Sequence, residues 1–129
     1  MTALNIRERE ILFFPSSVGK FFKNLEAIAI HRSKIREIHK ENLQDFPNLK
    51  ILSLYFNDIE VLEKDLFIYN RRLIAINFVY NEIKKVDADV FRTLPILSYL
   101  YFANNTCHSG EAVDDMKVLK KLILDIETK

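Results

Sequence analysis

Cys107 stands beside His108 in the stretch "NNTCHSGE", a thiol next to an imidazole. These are the side-chain types of a cysteine nucleophile and its base, but catalysis needs facing side chains rather than neighbouring numbers. His31 and His39 lie far from both, and no cluster has the spacing of metal ligands. All three histidines are read as surface residues. Gly19 and Gly110 are the only glycines, so no glycine-rich phosphate loop is available. No catalytic residue, cofactor or metal is expected, and the chain is not read as an enzyme. The triplet "NNT" makes Asn104 a glycosylation acceptor if the chain enters the secretory route. Aromatic residues are the more informative group. In "LKILSLYFNDIEVL", from Leu49 to Leu62, Tyr55 and Phe56 fall between positions patterned for burial.

The elements that must position them come from an internal repeat. Leu25, Leu49, Leu73 and Leu97 recur at a constant interval, and each segment aligned on them fits L-x-x-L-x-L-x-x-N-x-I-x-x-L with Ile, Phe or Val standing in for Leu. Asn57, Asn81 and Asn105 share the ninth position. One step earlier, "MTALNIREREILFF" fits with Leu4, Ile6, Ile11 and Phe14, giving about five coils. The alternation at the start of each unit is that of a short strand, and stacked coils bring equivalent strands into a parallel sheet. The ninth-position amide turns inward to satisfy backbone groups of the tight turn. Ser33 is a shorter substitute there, and Arg9 cannot fill the role, so the first unit should be irregular. In the returning halves Phe22, Phe46 and Leu94 recur at one position, and Leu43, Phe67 and Phe91 at another. Asn70 breaks the first series; either the coil shifts locally or its amide finds a backbone partner.

On these motifs the chain resembles the extracellular leucine-rich repeat family of animals, most closely insect secreted or cell-surface members. The resemblance rests on the 24-residue period, the phenylalanines of the returning segments and the terminal "NNTC", and it spans roughly residues 1 to 107. It implies an α/β solenoid with a short-stranded parallel concave sheet and a binding role. Residues 1–108 read as repeats and 109–129 as a C-terminal capping helix. Ala112, Met116, Leu119, Ile123 and Ile126 fall on one helical face, with Ser109 as N-cap and acids before lysines as the helix dipole favours. Relatives usually have a signal peptide, an N-terminal cap and a disulfide-closed C-terminal cap. Here the segment from Met1 to Pro15 carries Arg7, Glu8, Arg9 and Glu10, and Cys107 is the single cysteine. Both features fit a fragment or truncated paralogue, with a complete small intracellular protein as the other reading. Location is therefore expected to be extracellular or cell-surface by resemblance, with the cytoplasm left open.

The residues between buried positions face the concave side, and equivalent positions in neighbouring strands are about 4.8 Å apart. Tyr55, Phe56, Val79, Tyr80, Tyr99 and Tyr101 are expected to form one continuous patch there, with His31 and Arg32 adding polar specificity. Exposed aromatic patches mark interaction sites. The net charge of +1 favours neither nucleic acid nor membrane insertion. The expected function is recognition of a protein partner through this face. The alternative is a fragment or decoy of a longer receptor with no ligand of its own, and an uncapped first coil offers self-association.

Overall fold

The computed structural model describes residues 2–87, 89–102 and 105. The expected capping helix, Cys107, His108 and the acceptor Asn104 lie outside the described residues. Among the described residues the strands in chain order are β1 Ala3–Arg7, β2 Ala27–His31, β3 Ile51–Ser53, β4 Val61–Leu62, β5 Ala75–Asn77, β6 Lys85–Val86 and β7 Tyr99–Tyr101. Five of them form one parallel sheet in the order β1-β2-β3-β5-β7. Ala3 pairs with Ala27, Ala27 with Ile51, Ile51 with Ala75 and Ala75 with Tyr99. Every step equals the repeat period, so four turns of solenoid join the five strands.

The register follows from the period-two pattern, because a slip of one residue would turn the apolar set outward. Ile28, Ile30, Leu52 and Ile76 point inward and are fully buried. The returning halves close the core from the other side. Phe67 stacks on Phe91 with ring centroids 6.0 Å apart, and Phe14 meets Phe46 edge-on at 6.2 Å. A second, smaller sheet that the repeat pattern did not announce joins β4 to β6 in parallel. An isolated bridge, Phe13 to Glu37, continues the same repeat position toward the first coil.

Helix is scarce. Among the described residues it amounts to the four-residue α1, Lys40–Leu43, and the 3-10 segment η1, Ser16–Lys20. The α/β expectation is therefore corrected to a parallel-sheet solenoid. A coil this short that already holds a strand, an asparagine turn and a second bridge has no length left for a longer helix.

The asparagines behave as the pattern requires. Asn57 Oδ1 accepts from the Ser33 and Ile35 N–H groups at 3.1 and 3.2 Å, and its Nδ2 donates to the Ile30 and Leu54 carbonyls at 2.8 and 3.0 Å. Asn81 accepts from Ile59 N–H at 3.1 Å and donates to Leu54 and Phe78 at 2.9 and 3.1 Å. Asn105 repeats the arrangement on Ile83, Phe78 and Phe102. Each amide thus ties its own turn to the preceding coil. Ser33 is fully buried, but its hydroxyl reaches only the His31 carbonyl of its own turn, at 2.9 Å. The link back to the first coil is made by the Ser33 carbonyl, which accepts from Ile11 N–H at 2.8 Å.

Asn70 resolves the break in the returning series. It is fully buried, and its Nδ2 donates to the Leu43 and Phe46 carbonyls at 2.9 and 3.0 Å. The equivalent Phe22 departs from the series in the other direction: it is 37% exposed, and Phe21 is 79% exposed. No described coil packs on the outer side of that first turn. Gly19 stands where later coils carry Leu43, Phe67 and Phe91. A Cβ there would lie 2.5 Å from Asp45 Cβ and 3.3 Å from the Phe46 ring, so only glycine lets η1 pack this close to the second coil.

Candidate recognition face

The residues at and just past the strand ends of the main sheet lie in columns, one residue per coil. One column holds Arg7, His31, Tyr55 and Val79; the next holds Glu8, Arg32, Phe56 and Tyr80. The second column sits on backbone that few side chains adopt. Glu8, Arg32, Phe56 and Tyr80 have φ of 56°, 54°, 61° and 57°, the left-handed region that favours glycine or asparagine. The conformation is held by bonds between coils. The Glu8, Arg32 and Phe56 N–H groups donate to the His31, Tyr55 and Val79 carbonyls at 3.0, 3.2 and 2.9 Å. The buried asparagine that follows Phe56 and Tyr80 fixes the turn from inside.

These residues form one aromatic cluster. Tyr55 meets His31 edge-on at 5.6 Å and Tyr80 edge-on at 5.8 Å, and it lies 5.7 Å from Phe56. Phe56 and Tyr80 are 5.3 Å apart. The Arg32 guanidinium carbon sits 4.9 Å over the Phe56 ring, a cation–π contact. His31 Nε2 shares a hydrogen bond with Ser53 Oγ at 2.8 Å. Its ring is half-buried, which corrects the reading of a plain surface histidine. Burial, helped by the nearby positive charge of Arg7, holds His31 below its ordinary pKa.

The patch is not continuous. Tyr99 and Tyr101 are more than half exposed, but neither makes a ring contact with the cluster among the described residues. Their register explains it. Tyr99 pairs with Ala75 and Tyr101 with Asn77, so small or polar residues separate them from Tyr55 and Phe56. Val79 lies between the two groups, half-buried, its N–H donating to Asn77 Oδ1 at 2.9 Å. The contacts of Arg32 with Phe56 and of His31 with Ser53 were not anticipated. The period carries the signal for both: Arg32 and Phe56 are one full repeat apart, and His31 and Ser53 nearly so, and stacked coils make them neighbours.

The returning side is different in kind. His39 bonds the Glu63 carboxylate through Nδ1 and approaches Glu37 through Nε2 at 3.5 Å. The bond to Glu63 raises its pKa. A depression of about 200 Å³ beside it is lined by residues including Arg36, His39, Glu60, Val61 and Glu63. Among the described residues no group of three His, Cys, Asp or Glu is placed to hold a metal ion. No described helix is long and apolar enough to cross a membrane.

A family model described as "Leucine rich repeat" matches residues 23–83 and 47–106. This chain belongs to the leucine-rich repeat family. No curated protein matches it. Among solved structures, its leucine-rich repeats superpose on a chain of the crystal structure of a TLR13–ssRNA13 complex with a TM-score of 0.73 at 22% sequence identity. The match covers 79% of this chain and 14% of that one, and at this identity it speaks for the fold alone. Leucine-rich repeats are generally non-enzymatic.

Proposed function

We propose that this leucine-rich repeat chain is a recognition module that binds a protein partner through the concave, outward face of its main sheet. The observation that carries the reading is the exposure of aromatics the solenoid does not use: Phe56 at 43%, Tyr80 at 46%, Tyr99 at 54% and Tyr101 at 53%. Aromatics are enriched among the residues that dominate binding energy. The site is read as Tyr55, Phe56, Val79, Tyr80, Tyr99 and Tyr101 with His31 and Arg32. An extracellular or cell-surface setting of insect type is the finer reading, supported by the repeat period and by Phe46, Phe67 and Phe91. Residues 1–108 serve as the repeats, with 109–129 as their cover. A glycan at Asn104 would flank the binding face.

Single-stranded nucleic acid is the second reading, because the matched chain was crystallised with an RNA and aromatic rings can stack on bases. The near-neutral charge supports protein instead. Affinity purification with quantitative mass spectrometry tests the proposal. Partners captured by the intact chain are expected to be lost with Tyr80→Ser/Tyr101→Ser and kept with Lys64→Ala. Losing two such aromatics should weaken affinity about a thousandfold, at about 2 kcal/mol each. A partner that survives the tyrosine changes and is lost with Lys64→Ala would move the binding face to the other side.

A further inference from the structure

Several described cations away from the sheet face are engaged: Lys50 with Glu26 at 3.3 Å, Lys84 with Glu60 at 3.6 Å, Arg92 with Asp89 at 3.4 Å, and Arg72 Nη1 donating to Asn48 Oδ1 at 2.7 Å. Arg7 and Arg32 are exposed, and among the described residues neither guanidinium has a carboxylate in ion-pair range or a hydrogen-bond acceptor. Arg7 is directly opposite His31 in the register, and Arg32 follows His31 in the chain. Two cations and an imidazole therefore share one corner of the face, with Glu8 at its edge and in ion-pair range of neither guanidinium.

We propose that the corner formed by Arg7, His31 and Arg32 takes a carboxylate of an acidic peptide segment, whose adjoining aromatic or aliphatic side chain packs on Phe56 and Tyr80. The inference rests on the protein-recognition reading and names the chemistry of its partner. Arg32 is prepared for the role. Its guanidinium carbon is held 4.9 Å over the Phe56 ring, and its N–H groups, which have no acceptor among the described residues, suit a bidentate carboxylate. The left-handed backbone at Arg32, Phe56 and Tyr80 fixes the spacing between the cationic and the aromatic halves. Glu8 precedes Arg32 in the same column and closes the corner on that side, so one acid fits better than a run of them.

The same arrangement argues for peptide over nucleic acid. A phosphate backbone crossing the coils would need a cation at each step. Beyond β2 the two columns offer Tyr55, Phe56, Val79 and Tyr80 and no cation. An anion at one end and apolar side chains after it is the layout of an acidic-hydrophobic peptide.

Selection of random dodecapeptides displayed on phage against the intact chain tests this, followed by fluorescence anisotropy of the enriched peptides. They are expected to carry Asp or Glu beside Phe, Tyr or Leu. Arg32→Gln and Arg7→Gln should each weaken them tenfold or more. Replacing the peptide's Glu by Gln should reproduce the loss, while Arg71→Gln should change nothing. Circular dichroism melts confirm that the variants fold. Enriched peptides without acids that still depend on Tyr80 would overturn the carboxylate inference and leave the sheet-face reading standing. Peptides that bind every variant equally would overturn both. No enrichment, or Arg32-dependent binding of a twelve-nucleotide oligo(U) tighter than any peptide, would also overturn the inference.

Discussion

Phe56 and Asn57 are neighbours in the chain and opposites in the structure. Asn57 is 4% exposed and bonds backbone groups of two coils; Phe56 is 43% exposed on backbone that its side chain disfavours. The same contrast recurs at Tyr80 and Asn81. The ninth position builds the solenoid, and its residue type follows from unpaired backbone groups. The eighth is free of that demand, and glycine or asparagine would suit its φ better. On the proposed reading, a large ring kept there at a backbone cost serves the partner it faces.

The largest expected effect falls on the inner member of the pair. Asn57→Ala should destabilise the fold by about 3 kcal/mol, because several buried backbone groups lose their partner at once. Asn81→Ala, with fewer such bonds, should cost about 2 kcal/mol. Urea unfolding read by circular dichroism checks the order. Equal losses for these variants and for Asn77→Ala, on the outward face, would break the comparison.

Gly19→Ala should follow at about 1–3 kcal/mol, since the added Cβ meets the backbone-fixed Asp45 Cβ. Hydrogen exchange should show the loss confined to η1 and the second coil. Protection lost evenly along the solenoid would contradict the close packing assigned to that glycine.

A smaller effect separates the two sides of the molecule by pH. His31 has a lowered folded pKa, so its contribution is fully present above about 6.5 and declines as pH falls below that value. His39 has a raised folded pKa, so its contribution is present below about 6.5 and is lost as pH rises through the folded value. His31→Gln and His39→Gln should therefore change the slope of stability against pH in opposite directions, as followed by thermal melts between about pH 5 and 8. The exposure of the His39 pair to solvent keeps its share small.

Much of this was legible in the residues. The constant repeat step fixed the sheet, its register and the inward asparagines, because strand alternation and unpaired turn groups allow few other residue types. It brought Tyr55, Phe56 and Tyr80 together with His31 and Arg32. It did not foresee that Tyr99 and Tyr101 stand apart from Tyr55. Equal spacing predicts neighbouring columns, but Ala75 and Asn77 are too short to bridge them. Nor did it show the β4–β6 sheet, whose two-residue strands leave no periodic trace. Ser33 matched the asparagine position by polarity, yet its hydroxyl is one bond too short to reach the preceding coil. The left-handed turn was hidden for a related reason: Phe56 and Tyr80 are residue types that such backbone rarely carries.

The most direct test compares the stabilities of Phe56→Asn and Asn57→Ala. Phe56→Asn gives up two ring contacts of about 0.5–1.5 kcal/mol each and an exposed cation–π contact of about 0.5–1 kcal/mol, and relieves left-handed strain of about 1–2 kcal/mol, so the terms largely offset and its stability should stay within about 1 kcal/mol of the parent chain. Asn57→Ala should fall by at least about 2 kcal/mol more than that. If Phe56→Asn unfolds the protein as readily as Asn57→Ala, the exposed ring belongs to the scaffold, and the division between an inner column that folds and an outer column that recognises is wrong.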